Sequence, residues 1–158
     1  MYNLNWSRDD LTPQKLGTFG EYYAKMALAS YGVDIYTSEV DDHGIDFVAE
    51  TKRGFLKFQV KTIRCKTTNY VFMRKDMFDI SDPALYLLLI LLMDGEHPEL
   101  YLIPATSWSD TSKTALVYHA YDGKKSTPEY GVNLSKKNLS QLECFKLEHF
   151  IDSLRPYR

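Results

Sequence analysis

The sequence predicts an α/β (α+β) domain in which a mixed central sheet of four to five strands is flanked by helices. Three observations carry that expectation. A helical segment opens the chain at 13–30, a succession of short strand-like segments follows, and the aliphatic run ALYLLLILLM at 84–93 calls for a strand covered on both faces. With 158 residues, 44% of them hydrophobic, one domain spanning 1–158 buries roughly 70% of the surface of its unfolded chain. No Pro/Gly/Ser-rich linker or internal repeat divides it.

The elements follow in order. In PQKLGTFGEYYAKMALAS, Phe19, Tyr22, Tyr23, Met26, Ala27 and Ser30 keep the three-four spacing of one buried stripe, and Gly32 suits the helix end. A second stripe, Gly17, Ala24 and Leu28, shares its face with Glu21, which places that carboxylate at a packed or cleft-facing position. A strand at 33–37 leads into the acidic turn SEVDDHG. Strands at 45–50 and 55–63 are joined by Thr51-Lys52-Arg53-Gly54, a short Gly-containing connector that signals a hairpin. A short strand at 70–73 precedes the Asp82-Pro83 break, the apolar strand at 85–92 and an alternating strand at 99–103 ending at Pro104. Residues 115–121 read as a strand, 122–129 as a loop and 132–134 as an edge pairing. Ser140-Gln141-Leu142-Glu143 fits a capping box opening a last helix to Leu154.

Several function classes fall away. The apolar run is half of the roughly 20 residues a membrane-spanning helix needs. The first residues, MYNLNWSRDD, lack the pattern of a secretory signal, so a cytoplasmic location and no membrane partner are expected. Cys65 and Cys144 are too few for a disulfide framework and have no zinc-site spacing, so both read as reduced and structural. Phosphate-loop, GxGxxG, HExxH and GxSxG motifs are missing, which argues against a nucleotide cofactor or zinc hydrolysis. His43, His97, His119 and His149 are scattered without a nucleophile pattern.

The net charge of −2 argues mildly against a nucleic-acid partner, but the average hides a segregation. Lys52, Arg53, Lys57, Lys61, Arg64, Lys66, Arg74 and Lys75 lie in a window with no Asp or Glu, leaving −10 on the rest of the chain. That window is either a phosphate-binding face or a solvated sheet face balanced by acids elsewhere.

A polar set sits on the first strands. Gln59 and Lys61 in FLKFQVKT point to one face by the period of two, and a hairpin turning at 52–54 puts Asp46 near residue 60. A carboxylate, an amide oxygen and a strand carbonyl suit Mg²⁺, with Mn²⁺ as a substitute, and a lysine alongside can hold the attacking water and offset phosphate charge. The alternative is that Asp46 closes the His43-Gly44 turn while Gln59 and Lys61 are the polar face of an exposed strand. Asp41 and Asp42 are turn formers or outer metal neighbours, and Trp108 and the tyrosines are core or base-stacking residues.

The order GEYYAKMAL, DDHGIDFVAE, FLKFQVKT resembles the PD-(D/E)XK nuclease superfamily in the variant where Gln replaces the Glu of the ExK half-motif. It is similar to a small bacterial branch marked by a helix with GE, a strand with GID and a strand with QVK. The resemblance covers roughly residues 17–62 and implies a restriction-endonuclease-like core with Mg²⁺-dependent phosphodiester hydrolysis. Carried over, Asp46 is the main metal ligand, Gln59 the second, Lys61 the residue orienting water, and Glu21 the helix carboxylate completing the site. DNA is then the partner and a homodimer the working form. Gln for Glu removes a negative charge from the metal shell, which leaves an inactive binding module as the rival.

Overall fold

The computed structural model describes residues 4–6, 10–39, 43–65 and 68–156. Helix α1 (Pro13–Ser30) begins where Thr12 accepts a hydrogen bond from the Lys15 N–H, with Pro13 at the first helical position. It ends at Tyr31 and the left-handed Gly32. Strands β1 (Asp34–Tyr36), β2 (Phe47–Thr51), β3 (Gly54–Arg64), β4 (Tyr70–Arg74), β5 (Leu85–Leu92), β6 (Glu99–Pro104), β7 (Leu116–His119) and β8 (Glu129–Asn133) follow, then the short helices α2 (Lys136–Leu142) and α3 (Ile151–Leu154).

Five strands form a mixed sheet in the order β1-β2-β3-β5-β6, with β3 and β5 parallel and the other pairs antiparallel. The aliphatic run becomes β5, buried along its whole length. Leu85, Leu87, Leu89 and Leu91 enter one core, and Tyr86, Leu88, Ile90 and Leu92 enter the other. Burial on both faces is why the run shows no polar alternation.

α1 covers one face of this sheet through Leu16, Gly20, Ala24 and Leu28. The stripe of larger residues expected to be buried is packed only in part: Phe19 and Tyr23 lie against this core, whereas Tyr22 is 69% and Met26 54% exposed. The helix lies too close to the sheet for them. A Cβ on Gly20 would stand 1.7 Å from Thr62 Oγ1, so only the small-residue side permits this approach.

A second, three-stranded antiparallel sheet, β4-β8-β7, covers the opposite face, and its existence was not legible in the sequence. Strand β8 is its centre, at 129–133 instead of an edge at 132–134. The single C-terminal helix expected from the capping box is also corrected. The chain forms α2, two 3₁₀ turns and α3, because Leu142 and Phe145 belong to one core while Leu147, Ile151 and Leu154 belong to the other. The chain must cross the β6 edge between them, and Lys146 bridges to Tyr101 of β6 there. A continuous helix cannot make that crossing.

Cys65 and Cys144 are both free, and both are exposed instead of packed. Among the described residues no helix is long and apolar enough to cross a membrane.

Candidate functional site

The β2–β3 hairpin turns at Lys52-Arg53 with Phe47 opposite Phe58 and Thr51 opposite Gly54, one residue from the register expected. Continuing that register sets Asp46 opposite Gln59. The Asp46 N–H donates to Phe58 O at 2.9 Å, and the Val60 N–H donates to Asp46 Oδ2 at 2.5 Å. The carboxylate is thereby fixed against the middle of β3.

Gln59 is only 6% exposed. Its Nε2 donates to the Gly44 carbonyl at 2.5 Å and to the Met77 carbonyl at 3.3 Å. Both donors of the amide are aimed at the backbone, and Oε1 is buried with no hydrogen-bond partner. Gly44 has φ +68° and a Cβ there would meet Gln59 Nε2 at 2.6 Å. The glycine of HGID is therefore required twice, by its backbone and by its neighbour.

A buried orphan acceptor costs free energy unless something fills it. Beside a fixed carboxylate, an unpaired amide oxygen suits a hard cation that takes oxygen ligands. Among the described residues no three His, Cys, Asp or Glu side chains gather into a metal-binding group. Among the described residues the carboxylate placed to take an ion here is Asp46, just ahead of β2, with neutral oxygens beside it.

Lys61 follows Gln59 on the same face of β3 by strand alternation and is partly buried. Thr62, which abuts Gly20 of α1, is on the other face. Glu21 thus approaches from the α1 side of the sheet, while Asp46, Gln59 and Lys61 share the side of the second sheet. The three strand residues come together; Glu21 stands across the sheet from them.

The acid-free window does not form one open cationic face. Lys52 and Arg53 sit at the hairpin turn, about 23 Å along the strand from residue 60. The turn is therefore not where a phosphate at the site would lie. Lys57 is ion-paired with Asp82, whose carboxyl is held below the usual range by Lys57 and the Ala84 N–H although burial alone would raise it. Arg64 is 8% exposed. Arg74 makes a two-pronged contact with Asp76 at 3.0 and 2.5 Å. These partners come from outside the window, so its charge is partly cancelled in space. Lys75 remains exposed beside Tyr118. Lys66, Asp41 and Asp42 lie outside the described residues.

Sequence reading missed two positioning groups, the carbonyls of Gly44 and Met77. The glycine beside Asp46 was a usable signal. Met77 had none, because its place depends on how β4 leaves the second sheet.

No family model matches the chain, and no curated protein matches it in sequence. Solved structures do match in fold. A Holliday junction resolvase, Hjc, from the archaeal hyperthermophile Archaeoglobus fulgidus aligns with TM-score 0.53 and 11% identity, over 90% of this chain and 98% of that one. A bacterial homing endonuclease, I-Ssp6803I, aligns with TM-score 0.51 and 14% identity, over 89% and 91% of the two chains. At such identities the likeness speaks to architecture, and the architecture is the restriction-endonuclease-like fold.

Proposed function

We propose that the chain is a metal-dependent nuclease that hydrolyses phosphodiester bonds in DNA, with Asp46, Gln59 and Lys61 as its site and Glu21, across the sheet, outside it. The observation that supports this most is the unpaired, buried Oε1 of Gln59, the residue set opposite Asp46 in the β2–β3 register, in a fold shared with a Holliday junction resolvase and a homing endonuclease. Asp46 and Gln59 Oε1 would hold Mg²⁺ or Mn²⁺. The ion, when bound, supplies Lewis-acid activation at the scissile phosphate. Lys61 orients the attacking water and offsets the charge that develops on the phosphate oxygens. Gly44 and Met77 keep the amide from rotating its oxygen away. DNA is the partner in this reading, and a homodimer is the form that presents two sites to two strands.

The decisive measurement is Mg²⁺- or Mn²⁺-dependent cleavage of plasmid, single-stranded and branched DNA. Asp46→Ala and Lys61→Ala should each lose roughly 10²-fold or more in rate. Cleavage that survives both substitutions overturns the site assignment. A second reading, a noncatalytic nucleic-acid-binding module, is favoured because among the described residues no three acidic, His or Cys side chains gather at the site. It predicts salt-sensitive binding with no metal-dependent turnover.

A further inference from the structure

The second sheet brings an exposed aromatic ring to the neighbourhood of Gln59. Tyr118, on the edge strand β7, is 47% exposed. One side of its ring packs on Tyr130, with centroids 5.1 Å apart, and Tyr130 continues inward to Phe78 and Trp108. Tyr118 is thus the outer end of a rigid aromatic ladder. The Lys75 ammonium stands at the phenol end of the ring, 5.3 Å from the centroid and 3.4 Å from the phenol oxygen to which it donates.

Lys75 is tied to the candidate catalytic centre by the chain itself. Its N–H donates to Pro128 O at 2.8 Å, at the β7–β8 connection. Two residues on, the Met77 carbonyl receives the Gln59 amide. The ring and the ammonium therefore stand on the surface beside the segment 75–77, whose Met77 carbonyl holds the buried Gln59 amide.

We infer that Tyr118 and Lys75 form a subsite for one unpaired nucleotide of the DNA, with the base stacked on the Tyr118 ring and its phosphate met by Lys75. This rests on the nuclease reading and adds a substrate class to it: DNA with unstacked bases next to the cleavage point. The energetics favour the exchange. An exposed cation–π contact is weaker than base–aromatic stacking, so an incoming base displaces the flexible ammonium, which swings to the phosphate. A base inside an intact duplex has both faces stacked and offers none to the ring. Charge agrees, because the nearby Asp76 is already paired with Arg74.

The test is metal-free binding of a fluorescent single-stranded oligonucleotide and of the same sequence as duplex, followed by metal-dependent cleavage of both. Tyr118→Ala should weaken single-strand binding about tenfold and leave duplex binding unchanged, while Tyr118→Phe retains the wild-type value. Lys75→Gln should flatten the single-strand salt dependence by about 0.7 in the log–log slope. Circular dichroism melting of each variant separates a folding defect from a lost contact. Unchanged single-strand binding by folded Tyr118→Ala overturns the subsite and leaves the nuclease reading intact. A wild-type protein that binds single strands through Tyr118 but never cleaves overturns the nuclease reading and leaves the ring contact standing. A wild-type protein that binds neither DNA overturns both.

Discussion

Gln59 is a donor by construction. Two backbone carbonyls face its Nε2, and a glutamate there would set a carboxylate oxygen against both. Gln59→Glu is therefore not a harmless return to the commoner half-motif. Its carboxyl pKa is expected to rise, since neither neighbour can donate to the charged form. The penalty is absent where the carboxyl is protonated in both states and grows as pH rises above about 4.3, reaching about 1–3 kcal/mol at neutral pH. Chemical denaturation at pH 4 and pH 8, wild type against variant, measures it; equal loss at both pH values would refute the carbonyl argument. The sequence made Asp46, Gln59 and Lys61 legible because period-two alternation and a four-residue turn fix their relation. It could not show why position 59 carries an amide, because half of the answer, Met77, lies in the 3₁₀ turn that follows β4 of the second sheet.

At the scale of elements, the β7–β8 hairpin is tied down through Glu129. The buried carboxylate accepts from the Tyr70 hydroxyl at 2.8 Å and from the Tyr121 hydroxyl at 3.0 Å. Tyr121 holds a left-handed backbone at φ 53°, which a non-glycine residue adopts only when its surroundings insist. Burial, then the Glu129 bond, push the Tyr70 phenol above its usual range; for Tyr121 the Glu129 bond leads. Both folded-state values lie above the unfolded value of about 10. The stability they contribute is complete below that pH and is lost as pH rises through the raised folded values. Thermal melting should fall off above about pH 10, in step with phenolate absorbance. Glu129→Gln should lower the melting temperature by about 2–4 °C at neutral pH and flatten that alkaline decline. A decline of the same steepness in the variant would show that the phenols of Tyr70 and Tyr121 are not its source. None of this sheet was predicted as a unit, since β4, β7 and β8 are short and far apart in sequence and their pairing is set by the core beneath them. The C-terminal helix failed for a related reason: its local signals were helical, but the two cores it serves lie on opposite faces of the central sheet.

For the whole molecule, the question is how many cations face a DNA backbone. The central sheet, its aliphatic β5 and the flanking α1 were readable because burial on two faces leaves an unbroken apolar run and an apolar helix. Charge was readable only as a linear segregation, and folding rearranges it. Asp82 and Asp76 neutralise Lys57 and Arg74, Arg64 is buried, and Lys52 with Arg53 lies at the far end of the hairpin. If all eight cations of the window met phosphates, duplex affinity would fall with salt at a log–log slope of about −7. With those five withdrawn or distant groups subtracted, the slope should be no steeper than about −3. Titration of a labelled duplex across a range of monovalent salt, without divalent metal, gives the slope directly. A value near −7 would mean that the internal ion pairs open on binding and that the window acts as one face after all.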